Sequence, residues 1–354
     1  MPATLRELTP EIAQDEVRGW LAHVVQPIAV TGATGFVGKN LMESLLTCGV
    51  RPRVLVRDPA RLAPSARAGA DVVRGDLDDA EALAGLVAGV GTAIHLAGLV
   101  RAEGAARFDR VNRVGTENLV HALATGAPNA RLVHLSSLAA VGPSATPSGR
   151  IPEEPAQPIS NYGRSKLAAE EAVRAFPGRW TVLRPAAIYG PYDTDMFQFF
   201  RMVASGVAVL PAGERYLTVA HVSDVVRAVL ASAAGAGGQQ VLHLGEPNAR
   251  TMTCALELLA DTGGCKVRRV HLPGVVFRVV GLAGDGLQRI GFRRVAITSD
   301  KVTELLARHW TSRTSESLDC LGLAGYVPFR AGAAATWAWY RDHAWLPHAK
   351  MPAV

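Results

Sequence analysis

The sequence has 354 residues, 49% of them hydrophobic, which is enough for a large core and excludes a largely disordered chain. Lysine and arginine together number 37 against 31 aspartate and glutamate residues, a formal net charge of +6. The positive excess is scattered along the chain, which argues against a nucleic-acid-binding protein.

The cysteines argue against a metal site. Cys48, Cys254, Cys265 and Cys320 lie far apart and form no CxxC pair, so neither a zinc site nor a redox dithiol is expected. We therefore predict no bound metal and four reduced thiols.

The distribution of apolar residues bears on cellular location. The chain starts without the charged segment, apolar segment and cleavage site of a signal peptide, so we expect a cytoplasmic protein. No apolar run reaches about 18 residues, the length that a membrane span requires. The most hydrophobic segment, 273–292, carries Arg278, Asp285 and Arg289. It argues against a membrane span and leaves association with a membrane surface open.

Residues 1–27 precede the first predicted strand and are expected to form a helical extension. Thr9 fits the cap of this helix and Pro10 its first turn. The apolar residues that fall on one face are Ala13, Val17, Trp20, Leu21 and Val24. We expect this face to pack on the rest of the protein, and binding to a partner is the alternative.

From Ile28 onward, short β-branched runs alternate with helical segments. The first predicted helix spans 36–47, and the predicted strands are 28–30, 53–56, 71–74, 92–96, 131–135 and 180–183. This alternation predicts an α/β fold with a doubly wound parallel sheet of the Rossmann type over residues 28–189. The alternation loosens after Tyr189. Residues 190–354 are therefore expected to form a smaller C-terminal substrate-binding region, with some segments returning to the Rossmann domain.

A glycine-rich segment follows the first strand and opens a helix. In this TGxxGxxG run, Gly32 permits a tight turn, Gly35 lets backbone amides approach a pyrophosphate, and Gly38 lets the helix pack close to the strand. The helix N-terminus adds free N–H groups and a positive dipole. The predicted cofactor contacts in this segment are Gly32, Thr34, Gly35, Phe36, Val37 and Gly38.

Arg57 ends the second strand, about where an NAD-binding fold carries an acidic residue for the ribose hydroxyl. A guanidinium can instead bind a 2′-phosphate through two hydrogen bonds, with Arg61 close by. NADP(H) is therefore the predicted cofactor, and NAD(H) is the alternative. The residues expected along the rest of the cofactor are Asp76 and Leu77 at the adenine and Leu96, Ala97 and Gly98 at the ribose and nicotinamide.

Several motifs in one order give a resemblance to a known family. TGATGFVG, GDL, HLAG, SSLAAVG and YGRSK, between Ile28 and Asp224, resemble the motif series of extended short-chain dehydrogenases/reductases. The stretch VLVRDPARL is similar to dihydroflavonol-reductase-like and 3β-hydroxysteroid-dehydrogenase-like members. The resemblance implies an oxidoreductase that uses a nicotinamide cofactor, and it implies a homodimer.

Tyr162 and Lys166 have YxxxK spacing, which places them one helical turn apart on the same face. A phenol titrates near ~10, so it needs a nearby cation to exchange a proton near neutral pH, and Lys166 is expected to supply that charge. The resemblance implies that Tyr162 and Lys166 also contact the cofactor, Lys166 at the nicotinamide ribose, and that Ser137 orients the substrate oxygen. Ser136 is then structural.

The resemblance adds three further positions. Asn112 matches an asparagine that orders a relay water or holds the active-site helix, and an internal hydrogen bond is an equal alternative. Pro185 and Ile188 match a segment that packs beside the nicotinamide. His221 and Asp224 belong to an HVxD segment, in which Asp224 is expected to cap the next helix.

The C-terminal region carries the substrate predictions. The run 196–202 and the apolar residues among 275–280 fit either a pocket wall or core. The segments 300–306 and 337–341 are predicted to be scaffold helices.

We therefore predict an enzyme that interconverts a ketone and a secondary alcohol on a hydrophobic sterol-, polyketide- or flavonoid-like substrate, with Tyr162 as acid and base. One alternative is a nucleotide-sugar epimerase or dehydratase with tightly bound NAD, in which Arg201, Arg215 and Arg278 would engage a diphosphate. The second alternative is a non-catalytic cofactor-binding structural or sensor protein.

Overall fold

The computed structural model describes residues 6–7, 10–290, 292, 295 and 297–346, with side chains of the first helix described from residue 14 onward. The predicted cap Thr9 and the side chain of Ala13 lie outside the described residues.

The strands are, in chain order, β1 (Arg6–Glu7), β2 (Ile28–Thr31), β3 (Arg53–Val56), β4 (Asp71–Arg74), β5 (Thr92–His95), β6 (Arg131–Leu135), β7 (Arg179–Pro185), β8 (Ala187–Tyr189), β9 (Val207–Pro211), β10 (Tyr216–Leu217), β11 (Val219–His221), β12 (Val241–Leu244), β13 (Arg250–Thr251), β14 (Arg268–Leu272), β15 (His309–Trp310) and β16 (Gly325–Tyr326).

The α-helices are α1 (Pro10–Leu21), α2 (Phe36–Thr47), α3 (Pro64–Gly69), α4 (Ala80–Val87), α5 (Gly104–Phe108), α6 (Gly115–Gly126), α7 (Asn161–Arg174), α8 (Phe197–Ala204), α9 (Val222–Ala234), α10 (Met252–Gly263), α11 (Gly274–Arg289), α12 (Ser299–Leu306), α13 (Ser315–Cys320) and α14 (Phe329–Asp342). Short 3-10 helices span Pro59–Arg61 and Leu138–Ala140, and a π-helix spans Asp109–Val114.

The central sheet has the strand order β12-β7-β6-β5-β2-β3-β4, and neighbouring strands are parallel. Its central strands are buried on both faces because helices cover the two sides, which is why their sequences are continuous apolar runs rather than alternating ones. The strand order reverses direction between β2 and β5. In such a sheet, ligands bind outside the carboxyl ends of the strands at this switch point. The predicted doubly wound Rossmann-type fold is confirmed.

Two apolar clusters lie on the two faces of the sheet. One contains Ile28, Val30 and Leu41 and includes helices α2 and α9, and the other contains Leu83 and Leu123 from α4 and α6. The strand β12 comes from the C-terminal half of the chain and joins the sheet beside β7. The C-terminal half therefore contributes to the sheet as well as to the region beyond it.

The C-terminal region has its own apolar core, and the run 196–202 belongs to it. Phe200 is buried against Trp337 and Tyr340 of α14. The core interpretation is therefore correct for this run. The apolar residues among 275–280 are different, because Val275, Val276, Val279 and Val280 are exposed on α11. For these valines the core interpretation was wrong, and a role in a pocket wall stays a prediction.

The N-terminus of α9 is capped by a different side chain from the one that the sequence suggests. The cap is His221, whose Nδ1 accepts from the Ser223 N–H at 3.3 Å. The carboxylate of Asp224 instead accepts from the N–H of Val327 at 2.9 Å and from Arg227. The prediction that Asp224 caps this helix was wrong, because a helix starting at Val222 places Asp224 inside its first turn.

The N-terminal helix α1 packs on α9 and is joined to it by buried charges. Val17 and Val24 enter the core beside α9. Arg227 of α9 is 1% exposed, and its guanidinium contacts Glu16 of α1 as well as Asp224. Arg227 also donates to the carbonyl of Gly325 at 3.0 Å. Glu16 accepts from the N–H of Ala324, so one buried arginine connects α1, α9 and the segment before β16.

Replacing Arg227 with alanine is expected to lower the free energy of unfolding by about 3–5 kcal/mol, because two carboxylates lose their buried cation. Urea denaturation followed by circular dichroism measures this change. The control is Arg18→Ala on α1, since Arg18 pairs with Asp15 in an exposed ion pair that contributes at most about 1 kcal/mol. Equal losses in the two variants would show that the buried network does not stabilise the fold.

Candidate active site

The glycine-rich turn between β2 and α2 has almost no room for side chains. Gly32 has φ +79°, and a Cβ there would lie 2.6 Å from the Ala97 nitrogen. A Cβ on Gly38 would lie 2.1 Å from the carbonyl oxygen of Gly32. Gly35 is the N-cap of α2 and has no side chain to accept from the first-turn N–H groups. Those N–H groups are therefore available to an anion, with the positive end of the helix dipole behind them.

A cleft of about 390 Å³ lies at the carboxyl edge of the sheet, over the switch point between β2 and β5. The predicted cofactor residues that line it are Gly32, Thr34, Gly35, Arg57, Asp76, Leu77, Leu96, Ala97 and Gly98. Further lining residues that the sequence analysis did not single out are Thr31, Leu55, Val56, Gly75, Asp78, Leu99, Arg107, Arg110 and Val111. The cleft has the place and the glycine-lined wall of a dinucleotide site.

Tyr162 and Lys166, described below, are predicted cofactor residues that lie outside this lining, and five others do so as well. Val37 and Gly38 lie on the buried side of the first turn of α2, so only their main-chain N–H groups could reach a ligand. Phe36, the first residue of α2, packs against the core. Pro185 ends β7, and Ile188 lies in β8 paired with Ala220 of β11. The structure therefore separates these five positions from the wall of the cleft.

Arg57 and Arg61 line the cleft at the end of β3, and both are exposed. Asp58, the acidic residue next to Arg57, points elsewhere: its Oδ1 accepts from the N–H of Ala60 at 3.0 Å and so caps the short 3-10 helix. The charge presented to the cleft at this strand end is therefore positive.

Tyr162 and Lys166 lie on α7, which begins at Asn161 because Ser160 caps it through the N–H of Gly163 at 3.0 Å. Burial raises the pKa of the Tyr162 phenol above its usual value, and a hydrogen bond with Ser137 acts in the opposite direction. Ser137 also accepts from the N–H of Ala139 at 3.1 Å.

Ser136 is turned away from Tyr162. It donates a 2.5 Å hydrogen bond to the buried carboxylate of Glu170. Glu170 in turn forms a buried ion pair with Arg184, with a shortest distance of 2.7 Å. Of the two adjacent serines, Ser137 is therefore the one beside the phenol, and Ser136 holds a structural network.

Lys166 is buried below Tyr162 on the same helix. Its Nζ donates to the carbonyl oxygen of Leu135 at 2.7 Å and lies 3.3 Å from Nε2 of His134. Burial lowers the pKa of Lys166 to about 8. Ser137 acts to lower the pKa of Tyr162, and the expected effect of the Lys166 ammonium on this phenol stays a prediction.

Two buried histidines beside Lys166 were missed by the sequence analysis. His95 and His134 face each other across β5 and β6, with ring centroids 5.0 Å apart. The hydroxyl of Thr116 donates its only proton to the carbonyl oxygen of Asn112, so it can only accept from Nε2 of His95. The proton of the neutral His95 ring is therefore on Nε2, and Nδ1 accepts from the Thr31 hydroxyl at 2.6 Å. Burial lowers the pKa of His95 to about 3, and it lowers the pKa of His134 as well. Both rings are therefore neutral and leave Lys166 as the charged group.

Asn112 lies in the π-helix 109–114 and holds two parts of the site together. Its Oδ1 accepts from the N–H of Leu99 at 2.7 Å, and its Nδ2 donates to the Leu99 carbonyl at 3.0 Å and to Ser165 Oγ at 2.9 Å. The amide thus connects the loop after β5 with α7. Single-turn π-helices of this kind often occur at functional sites.

The helix α12 lies against the N-terminus of α7. Asp300 accepts from the N–H of Asn161 at 2.7 Å, and Ser160 donates to Glu304 at 2.6 Å. Acidic groups are stabilised at this end of a helix by its dipole. A small cavity of about 30 Å³ beside Tyr162 is lined by Val100, Arg101, Ala102, Phe108, Gln288, Val295, Thr298, Asp300, Lys301 and Glu304. The helix predicted as scaffold therefore forms part of the wall beside Tyr162.

Comparison with known proteins agrees with this geometry. The model of the NAD dependent epimerase/dehydratase family matches residues 28–245. The chain belongs to this family. A ceramide reductase of Caulobacter vibrioides is 35% identical over 329 residues, which cover 90% of this chain and 96% of the relative.

One further relative and one solved structure show the range of proteins that this chain is similar to. The 4-hydroxy-2-methyl-3-oxo-4-farnesyl-3,4-dihydroquinoline-1-oxide ketoreductase of Stigmatella aurantiaca is 30% identical over 316 residues, 86% of this chain and 94% of the relative. The solved structure of a double mutant of a dTDP-glucose 4,6-dehydratase from Streptomyces venezuelae, with NAD bound, shares the fold with a TM-score of 0.72 at 24% identity, covering 91% of this chain and 99% of that chain.

The chain is accordingly an NAD(P)-dependent oxidoreductase of the extended short-chain dehydrogenase/reductase group. The resemblance predicted from its motifs is confirmed. Among the described residues, no helix has both the length and the apolarity to cross a bilayer, and no three metal-ligating side chains lie together.

Proposed function

We propose that this protein is an NADPH-dependent reductase that converts a ketone on a hydrophobic, lipid-like substrate into a secondary alcohol. The observation that carries the proposal is the position of Tyr162, whose phenol interacts with Ser137 beside a cavity lined by residues of α11 and α12. Gly98 joins this site to the dinucleotide cleft, since it lines the cleft and a Cβ on it would lie 3.8 Å from Lys166 Nζ.

The residues of the cleft fit a phosphorylated dinucleotide. The first turn of α2 would bind the pyrophosphate, Asp76 would face the adenine, and Arg57 would bind the 2′-phosphate. When bound, NADPH supplies the hydride that the carbonyl carbon receives. We include Gly98 and Lys166 in the nicotinamide end of this site. We also propose Pro185 and Ile188 there, on the family resemblance alone.

The protonation state of Tyr162 favours carbonyl reduction. Because burial raises the pKa of the phenol, Tyr162 keeps its proton through the neutral range and can donate it to the carbonyl oxygen. Ser137 would hold that oxygen through a second hydrogen bond. The carbonyl oxygen gains the phenolic proton as the carbon gains hydride, and water returns a proton to Tyr162, so one proton from solvent is consumed in each turnover.

The comparison with curated proteins supports a hydrophobic substrate. The two curated relatives described above have names that refer to a ceramide and to a farnesyl-bearing quinoline. The three arginines considered for a nucleotide-sugar diphosphate do not converge. Arg215 donates to the carbonyls of Pro211, Ala212 and Gly213, whereas Arg201 and Arg278 are exposed on α8 and α11.

The test is consumption of NADPH, followed at 340 nm, with a panel of long-chain ketones, polycyclic ketones and UDP-sugars. We expect saturable turnover with at least one apolar ketone and none with the sugars. Conversion of a UDP-sugar to its epimer without net NADPH consumption would instead establish an epimerase. Tight binding of NADPH with no turnover on either class would support a non-catalytic protein. We also propose that the protein is cytoplasmic and, as the family resemblance implies, that it forms a homodimer.

The low pKa of Lys166 predicts a pH dependence. The free enzyme loses the charge of Lys166 as pH rises through about 8, so kcat/KM for NADPH should be constant below this pH and fall by up to tenfold per unit above it. Steady-state rates from pH 6 to 10 measure this profile. Lys166→Arg keeps its charge throughout, so its residual activity should lack the alkaline decline. An unchanged decline in Lys166→Arg would assign the titration to another group.

A further inference from the structure

The helix α11 presents its large apolar side chains to solvent. Val275, Val279 and Leu282 are 61%, 60% and 66% exposed, and Ile290 and Phe292, just after the helix, are 72% and 60% exposed. A surface helix normally buries its large apolar residues and exposes its polar ones. A continuous exposed apolar surface of this size marks a site of interaction. We call this set of residues, together with Val276, Val280 and Leu287, the α11 apolar face.

The opposite side of α11 is made of small residues that fix the orientation of the helix. A Cβ on Gly284 would lie 2.0 Å from the carbonyl of Ile297, and one on Gly281 would lie 3.0 Å from the side chain of Val302. Asp285 accepts from the N–H of Ser299 at 3.1 Å. The glycines allow α11 to pack closely on α12 and the segment before it. Turning the helix to bury its valines would therefore force larger side chains into these contacts.

The exposed charged residues of α11 are both arginines, and the strand before it carries a third. Arg278 and Arg289 are exposed on α11, and Arg268 is exposed on β14 just before it. None of these three arginines has an ion-pair partner among the residues that the structure describes. Asp285, the one acidic residue in the helix sequence, is turned inward. Apolar residues flanked by arginines suit an anionic lipid surface, where the arginines meet headgroups and the apolar residues enter the acyl boundary.

We propose that the α11 apolar face docks this protein on an anionic lipid bilayer. The helix has 16 residues, about 24 Å at the rise of an α-helix, and no described helix is long and apolar enough to cross a bilayer. It therefore lies in the plane of the interface. Gln288, near the end of α11, lines the cavity beside Tyr162, as do Thr298 and Lys301. Docking through α11 keeps that cavity next to the membrane, where a lipid-borne ketone would be found.

The experiment is sedimentation of the full chain with vesicles of phosphatidylcholine, with and without one third phosphatidylglycerol. We expect the protein to pellet with the anionic vesicles and much less with phosphatidylcholine alone. The variant Val275→Asp/Val279→Asp should reduce the partition coefficient by at least about tenfold, because two apolar side chains are lost and two negative charges are added. Replacing Arg278 with alanine should weaken binding to the anionic vesicles by about fivefold.

The matched control is Val25→Asp. Val25 is 62% exposed but precedes β2, at the amino edge of the sheet, so its replacement should leave vesicle binding unchanged. Thermal unfolding of each variant reports whether the fold is intact. The proposal is overturned if the wild-type chain stays in the supernatant, or if Val275→Asp/Val279→Asp pellets as the wild type does. It is also overturned if that variant has a smaller mass by light scattering, because the face would then join copies of the chain.

Docking on a membrane does not depend on the reductase chemistry. The vesicle assay and the NADPH assay therefore test the two proposals separately. Vesicle binding without NADPH consumption would leave the docking proposal standing and remove the proposed function. Turnover of a water-soluble ketone by a protein that does not bind vesicles would support the reductase activity and overturn the docking proposal.

Discussion

Replacing Tyr162 with phenylalanine is expected to lower kcat for ketone reduction by about 10²- to 10⁴-fold, the range that a positioned proton donor contributes. The ring is retained, so its packing against Phe108, at 5.9 Å between centroids, should survive. NADPH binding should also survive, because the phenol does not line the dinucleotide cleft. Stopped-flow measurement of NADPH oxidation, with a binding titration by NADPH fluorescence, separates the two effects.

Tyr216→Phe is the control for this substitution. The hydroxyl of Tyr216 donates to Glu214 at 2.7 Å on the exposed side of β10, so its loss should not affect turnover. Ser137→Ala should give a smaller loss than Tyr162→Phe, because it removes the hydrogen bonds of the hydroxyl but leaves the proton donor in place. A Tyr162→Phe protein that reduces ketones at the wild-type rate would exclude this tyrosine as the proton donor.

The central sheet could be predicted from the sequence because its strands are short apolar runs with helices between them. The predicted strands 53–56, 71–74 and 131–135 agree with the observed β3, β4 and β6. β3 and β6 are buried on both faces, so their residues need only be largely apolar, and that requirement is visible in one sequence; β4, at the edge of the sheet, is recognisable from its two central valines. The predicted helix 36–47 also agrees with the observed α2, because the glycines before it fix where the helix begins.

The contacts around Tyr162 could not be predicted in the same way. Asp300 reaches the N–H of Asn161 from 139 positions away in the sequence, and the pattern of α12 reveals an ordinary amphipathic helix. Likewise, His95 and His134 meet only because β5 and β6 pair in one particular register. Sequence periodicity identifies which face of a helix or strand is apolar, but it does not identify which other helix or strand packs against that face.

The residues of α11 show a further limit of periodicity. A sequence of valines on a helix suggests burial, because apolar faces usually turn toward the core. Here the close contacts of Gly281 and Gly284 determine which side faces inward. Glycine in a helix costs about 1 kcal/mol relative to alanine, so the pattern alone gives it little weight as a packing residue.

Replacing Arg57 with aspartate should change the preference of the enzyme from NADPH toward NADH. The wild-type guanidinium would form charge-assisted hydrogen bonds with the 2′-phosphate, and aspartate would repel that phosphate while accepting from a ribose hydroxyl. We expect the ratio of kcat/KM for NADPH to that for NADH to fall by about 10²- to 10³-fold, since hydrogen bonds to charged groups contribute about 1.5–3 kcal/mol each. Steady-state kinetics with each cofactor and one ketone measures the ratio.

Two further variants define what Arg57 itself contributes. Arg61→Ala should change the ratio of kcat/KM values less than Arg57→Asp does, because Arg61 lies one turn further from the end of β3. Arg67→Ala should not change the ratio, because Arg67 lies on the exposed surface of α3, outside the cleft lining. Because the carboxylate of Asp58 is held by the N–H of Ala60, it cannot take over the ribose contact without breaking the cap of the 3-10 helix. A wild-type enzyme that prefers NADH would therefore mean that this cap opens when the cofactor binds, and that Arg57 does not select the cofactor.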